Sequence, residues 1–196
     1  MGTKNGVVKR VNPEVLGKDS WEIIRLGDGD ELVGACAPVD ADELVFVTSD
    51  AQLLHFPAGA VRPQGRSGGG MAGVKLAAGA RVVWFGTVPA RCLAEGAVLV
   101  TVSGTTTALP GTQCGNIKVT PFGEYPGKGR ATGGVRCHRF LKGEDTLLMA
   151  WAGPTPAGGA SPAGTPIDLP PATGRRDGSG TPTMQPVAAV ATRHLG

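Results

Sequence analysis

At 196 residues, 41% of them hydrophobic, the chain is long enough for one cored domain or slightly more. Its formal charge is only +3, so net charge alone identifies no polyanionic partner. No apolar run approaches the ~18 residues of a spanning helix, the polar residues 1–10 lack a signal-peptide core, and Cys36, Cys92, Cys114 and Cys137, with no C-x-x-C spacing, predict reduced thiols rather than a disulfide scaffold.

Taken in chain order, the sequence alternates two units. The first is a strand, a turn beginning with Thr, and a second strand. It occurs at residues 3–10, 44–56 and 98–109, with Thr3, Thr48 and Thr101 spaced 45 and then 53 residues apart. Gly or Asp in such turns supplies the positive φ that hairpins need. The second unit is a loop, a strand, a tight turn and a strand. It occurs as Gly17-Lys18 through residues 21–26 to Gly29-Asp30-Glu31-Leu32-Val33. It recurs as Gly65-Arg66 through Gly73-Val74-Lys75-Leu76 to Gly79-Ala80-Arg81-Val82-Val83. It recurs again as Gly129-Arg130 through Gly134-Val135-Arg136 to Gly143-Glu144-Asp145-Thr146-Leu147. About four strands per ~50 residues is the arithmetic of propeller blades, and about three such units are present. The 32 glycines and scarce aromatics, at 5%, agree with an all-β fold of short strands. From residue 154 onward, eight of the sixteen prolines occur with no Phe, Trp or Tyr, which predicts a disordered tail over 154–196 after a β domain at 2–153.

Charge is distributed unevenly. Residues 1–43 hold nine acidic and five basic side chains, whereas residues 44–153 hold five acidic and eleven basic ones. The basic residues cluster in or beside glycine-rich loops: Arg62, Arg66, Lys75, Lys118, Lys128, Arg130, Arg136, Arg139 and Lys142. Glycine lets a backbone approach a phosphate closely, and each Lys or Arg that neutralises a phosphate releases a counterion. Few Asn or Gln accompany them, and no helix fits a major groove, so base reading is not expected. On the residues alone, backbone binding to a duplex and solvated charges on a protein-binding propeller weigh about evenly.

Other constellations lack their parts. The stretch Gly123-Glu124-Tyr125-Pro126-Gly127-Lys128-Gly129 is one residue short of a phosphate loop and has Gly129 where a Ser or Thr should hold magnesium. Gly127, Gly129 and Gly133 are misspaced for a dinucleotide fingerprint. Cys137 and His138, as strand neighbours, point to opposite faces and make no zinc site with Cys114. His55, His138 and His194 sit in no nucleophile motif. Tyr125 reads as packing, and Trp21, Trp84 and Trp151 read as blade-packing residues.

Several stretches, taken in order, resemble the C-terminal domain found in the A subunits of bacterial type IIA topoisomerases, DNA gyrase and topoisomerase IV. They are Thr3-Lys4-Asn5-Gly6-Val7-Val8-Lys9-Arg10, residues 26–35, Val61-Arg62-Pro63-Gln64-Gly65-Arg66 with residues 73–76, and Lys128-Gly129-Arg130-Ala131-Thr132-Gly133-Gly134-Val135-Arg136. The resemblance implies a β-pinwheel, a propeller-like disc of four-stranded blades, here incomplete at about three repeats. It implies a non-catalytic part that binds and bends double-stranded DNA with low sequence specificity, through Arg62, Arg66, Lys75, Lys118, Lys128, Arg130, Arg136 and Arg139. Its implied partners are a topoisomerase catalytic core and the ATPase-bearing B subunit. It also implies a cytoplasmic, nucleoid-associated setting, and no cofactor, metal or membrane. The glutamine-arginine-arginine-glycine-glycine box of gyrase is not found, the nearest site being Gln64-Gly65-Arg66-Ser67-Gly68-Gly69-Gly70, so the resemblance leans to topoisomerase IV. The alternative expectation is a propeller-type protein-interaction module with no DNA role.

Overall fold

A computed structural model describes residues 1–193 apart from Pro13, Val15 and Pro110; His194 lies outside the described residues. The strands are β1 (Gly2–Thr3), β2 (Val7–Val8), β3 (Leu32–Gly34), β4 (Glu43–Thr48), β5 (Gln52–Pro57), β6 (Met71–Ala72), β7 (Val82–Val88), β8 (Ala97–Gly104), β9 (Asn116–Pro121), β10 (Val135–Arg136), β11 (Thr146–Pro154), β12 (Ala157–Ala160), β13 (Pro166–Ile167), β14 (Thr181–Pro182) and β15 (Ala189–Thr192). One short helix, α1 (Ala90–Glu95), separates β7 from β8.

These strands make three four-stranded antiparallel sheets, β3-β1-β2-β6, β10-β5-β4-β7 and β11-β8-β9-β14, and one three-stranded sheet, β13-β12-β15. Each four-stranded blade has a central hairpin, an inner strand that follows later, and an outer strand that arrives only after the next hairpin has formed. Thus β6, which closes the first blade, comes after β4 and β5 of the second. The blades are therefore interlocked by the chain itself. Inner strands of successive blades pack on one another, β3 on β7, β7 on β11 and β11 on β15, which leaves β6, β10 and β14 on the periphery.

Local chemistry sets the hairpins. The Thr3 hydroxyl oxygen accepts the Val7 N–H at 3.1 Å, and the Thr48 hydroxyl oxygen accepts the Gln52 N–H at 3.0 Å. Such side-chain caps hold the chain in a turn. The positive φ falls on Gly6 in the first turn and on Ala51, at 61°, in the second. An alanine there costs about 1–2 kcal/mol, which is offset by burying its methyl among Val47, Leu53 and Cys137. Thr101 does not cap a turn. The third hairpin is longer, so Thr101 lies within β8, where its hydroxyl meets His138 Nδ1 at 2.9 Å.

The core lies between blades. Strand β4 is buried on both faces, and its side chains alternate between two clusters. Leu44 and Phe46 join Val8, Leu54, Phe56 and Phe85 against the first blade, while Val45 and Val47 join Leu53, Leu99, Phe122 and Leu147 against the third. Phe46 packs tilted against Phe85 with ring centroids 4.7 Å apart. Trp84 and Trp151 lie over Gly86 and Gly153, where an added Cβ would come within 2.6 and 2.4 Å of the indoles. Trp21 departs from that pattern. Residues 21–26 form no strand, and Trp21 is exposed.

Residues 154–193 differ from the expected disordered tail. Their short strands β12 to β15 build the fourth sheet, and β14 completes the third blade by pairing Thr181 with Ile117. Ala157, Leu169, Val187 and Val190 pack against Val98, Val100, Val102, Ile117 and Val119. The average composition of the segment hides these few apolar residues, each placed where a blade needs it. In the outer strands, backbone conformation is restrictive. Gly134 has φ +74°, and a Cβ there would stand 2.3 Å from the Leu53 carbonyl oxygen. Gly134→Ala is expected to loosen β10 and lower stability by about 2–3 kcal/mol, read as a drop in the urea midpoint.

Candidate nucleic-acid interface

The peripheral strands organise the basic residues. Met71 pairs with Val8, Val135 with Leu53, and Thr181 with Ile117. Counted back from these three residues, Arg66, Arg130 and Arg176 each stand five positions upstream, in a loop containing Gly-Arg. Counted forward, Lys75 and Arg139 each stand four positions downstream. The Lys75 N–H donates to the Thr132 carbonyl at 3.0 Å, and the Arg139 N–H donates to the Gly178 carbonyl at 3.0 Å. The second and third glycine–arginine loops thus dock on the segment that leaves the preceding blade's outer strand.

One group so assembled contains Lys75, Lys128 and Arg130. The Ala131 N–H donates to the Gly73 carbonyl at 2.7 Å, an Arg130 guanidinium N–H donates to the Ala72 carbonyl, and Lys128 Nζ donates to the Gly134 carbonyl at 3.1 Å. The next group contains Arg139, Arg175 and Arg176, with Arg136 exposed on β10. Arg62 and Arg66 belong to the first blade's loop. Arg66 is partly neutralised by Glu14, with Nε and Oε2 3.4 Å apart. Among the described residues, Lys75, Arg136, Arg139 and Arg175 are exposed and make no ion pair. Lys142 lies in the tight turn before β11, apart from these loops.

Lys118 is a correction. It was expected among the exposed cations, but it is buried on β9, and its Nζ donates to the carbonyls of Arg175 at 2.9 Å and Arg176 at 2.6 Å. Burial pushes its ammonium down to about 8, with Cys137 and Asp177 working in the opposite direction. The folded segment after residue 154 brings in the cover that a disordered tail would not. Arg175 and Arg176, which the sequence places in the tail with at most a weak reach to a phosphate backbone, stand in the loop before β14. The available signal was a third Gly-Arg stretch, Gly174-Arg175-Arg176, ahead of a threonine-proline pair.

Histidines brace this surface from below. His55 is buried on β5 between the Glu43 carboxylate, 2.7 Å from Nδ1, and the Tyr125 carbonyl, 3.0 Å from Nε2. The Lys128 N–H also donates to the His55 carbonyl at 3.1 Å, which ties the second loop to the second blade. Tyr125 is buried, and its hydroxyl donates to the Cys137 carbonyl at 3.5 Å. His138 is buried beside Thr101; burial, then the neighbouring Lys118, pushes its imidazole down to about 4. An unfolded histidine, at ~6.5, binds a proton that the folded ring refuses, so this contribution is complete above about pH 6.5 and is lost as pH falls toward 4. Roughly 3 kcal/mol is at stake. Urea titrations between pH 7 and 4 should show the decline, and His138→Gln should flatten it over pH 6.5–4.5.

Interlocked four-stranded blades, with Gly-Arg loops ahead of successive outer strands, define an incomplete β-pinwheel. The family model described as "DNA gyrase C-terminal domain, beta-propeller" matches residues 42–89 and 111–148. This match, with the relatives that follow, groups the chain with the DNA gyrase C-terminal domains. A protein named Topoisomerase subunit TopoM, from Mycolicibacterium smegmatis, is 37% identical over 107 residues, which is 55% of this chain and 13% of that protein. The gyrase A protein of Salmonella typhimurium is 36% identical over 138 residues, 69% of this chain and 14% of that protein. The chain therefore spans about one seventh of the curated relatives it matches. Among solved structures, the C-terminal domain of DNA topoisomerase IV superposes with a TM-score of 0.72 at 19% identity, over 97% of this chain and 59% of that one. A DNA gyrase A C-terminal domain gives 0.73 at 17% identity, over 96% and 63%.

Proposed function

We propose that this chain is a DNA-binding and DNA-bending part of a type IIA topoisomerase, belonging to its A subunit and without a catalytic role of its own. The observation that carries this reading is the repetition of Gly-Arg loops at one position of three consecutive blades. Lys and Arg repeated in the loops that precede successive outer strands suit a polyanion whose charges repeat along a line. Contacts of this kind fix a duplex by its backbone and carry no sequence code. Following a curved edge would bend the duplex, at a cost that depends on its deformability. A nucleoid setting, the catalytic core and the ATPase-bearing B subunit belong to the same proposal.

The test is direct. Fluorescence anisotropy of the purified chain with an arbitrary duplex of ~30 base pairs should show binding that weakens steeply between 50 and 200 mM salt. Energy transfer between dyes on the two duplex ends should rise on binding. Salt-insensitive binding, or none, would leave the protein-interaction reading in its place.

A further inference from the structure

Two lysines at equivalent positions do not face solvent. Lys9 follows Val8, the partner of Met71, and Lys118 follows Ile117, the partner of Thr181. In the second blade the same position is Leu54, which follows Leu53, the partner of Val135. Both lysines are buried, at 1% and 4% exposure. Lys9 Nζ donates to the carbonyls of Arg66 and Gly68, each at 2.5 Å, and Lys118 Nζ donates to those of Arg175 and Arg176. In both blades the carbonyls gripped belong to the Gly-Arg loop that precedes the outer strand.

We infer that Lys9 and Lys118 are internal positioning residues, which fix the Gly-Arg loops of their blades from beneath so that the arginines stand ready for a phosphate backbone. The inference rests on the proposed DNA-binding reading but assigns these two cations a different role from contact. An ammonium group has three donors and no acceptor, so it can collect carbonyls that a tight loop turns inward. Charged donors make the stronger hydrogen bonds. A glycine-rich loop without such a grip would have to be ordered at the moment of binding, at an entropic cost. Burial lowers both ammonium groups, outweighing the opposite pull of Glu22 on Lys9 and of Cys137 and Asp177 on Lys118.

The experiment uses Lys118→Leu, which installs the residue that the second blade already carries. Hydrogen exchange on the intact chain should show faster exchange confined to residues 174–182. Duplex affinity should fall roughly tenfold, and the salt slope should drop by about 2, as for loss of two phosphate contacts. The same loss should appear in the Arg175→Ala/Arg176→Ala double variant, and adding Lys118→Leu to that pair should change affinity no further. Unchanged exchange at 174–182, or effects that simply add, would overturn the positioning role. Absence of DNA binding by the unaltered chain would instead defeat the functional reading, and the exchange result would still decide whether Lys118 orders the loop.

Discussion

Replacing Arg66, Arg130, Arg175 and Arg176 together by alanine is expected to abolish duplex retention at physiological salt while leaving the fold intact. The four residues represent three consecutive Gly-Arg loops, so the substitution removes the repeating charge and leaves the strands that space it. If each arginine neutralises one phosphate, the slope of log K against log salt should fall by about 4. Affinity should drop by roughly a hundredfold or more near 100 mM salt. The loss should be the same for any duplex sequence, since backbone contacts carry no base information. None of the four side chains belongs to a core cluster, and the Arg130 bond to the Ala72 carbonyl that is lost is solvent-exposed, so circular dichroism and the urea midpoint should change little. Anisotropy titrations at several salt concentrations check the prediction, and a variant that keeps its parent's slope would refute it.

Truncation after Gly153 is expected to unravel the third blade. That cut removes β14 from the edge of β9 and takes away the fourth sheet. It uncovers Val98, Val100, Val102, Ile117 and Val119, all now buried, and leaves Lys118 without the Arg175 and Arg176 carbonyls. Exposing five such side chains, at about 1.5–3 kcal/mol each, costs about as much as the whole stability of a typical small domain. The first two blades share a separate cluster centred on Phe46 and should keep a cooperative transition. Urea unfolding followed by Trp fluorescence should therefore split, with Trp151 reporting the earlier phase and Trp84 the later one. A single transition at the parent's midpoint would contradict the interlocked architecture.

Much of this architecture was legible in the residues. The Thr-capped turns at Thr3 and Thr48, and the tight turns at Gly29, Gly79 and Gly143, repeat in sequence because the same local geometry recurs. The all-β class and the three four-stranded repeats follow from that recurrence. The outer strands were harder to read, because β6, β10 and β14 are two residues long and pair with a hairpin that precedes them by a whole blade. No local periodicity carries that information. Residues 154–193 are hard to read for a related reason. A mean taken over many Pro, Gly and Ala residues cannot reveal that Leu169, Val187 and Val190 pack against the third blade. Lys118 was misplaced because a lysine in a sequence shows its charge and not its burial, and its cover came from the segment assigned to the tail.

The most direct measurement follows one duplex across the blades. In a Cys114→Ser background, a DNA-cleaving chelate would be tethered in turn at Arg66→Cys, Arg130→Cys and Arg175→Cys, and its cuts mapped on an end-positioned duplex. Three separate cleavage patches, in that order along a single duplex, are the expected result. Cuts confined to one patch, or scattered without order, would mean that the three loops do not share one double helix.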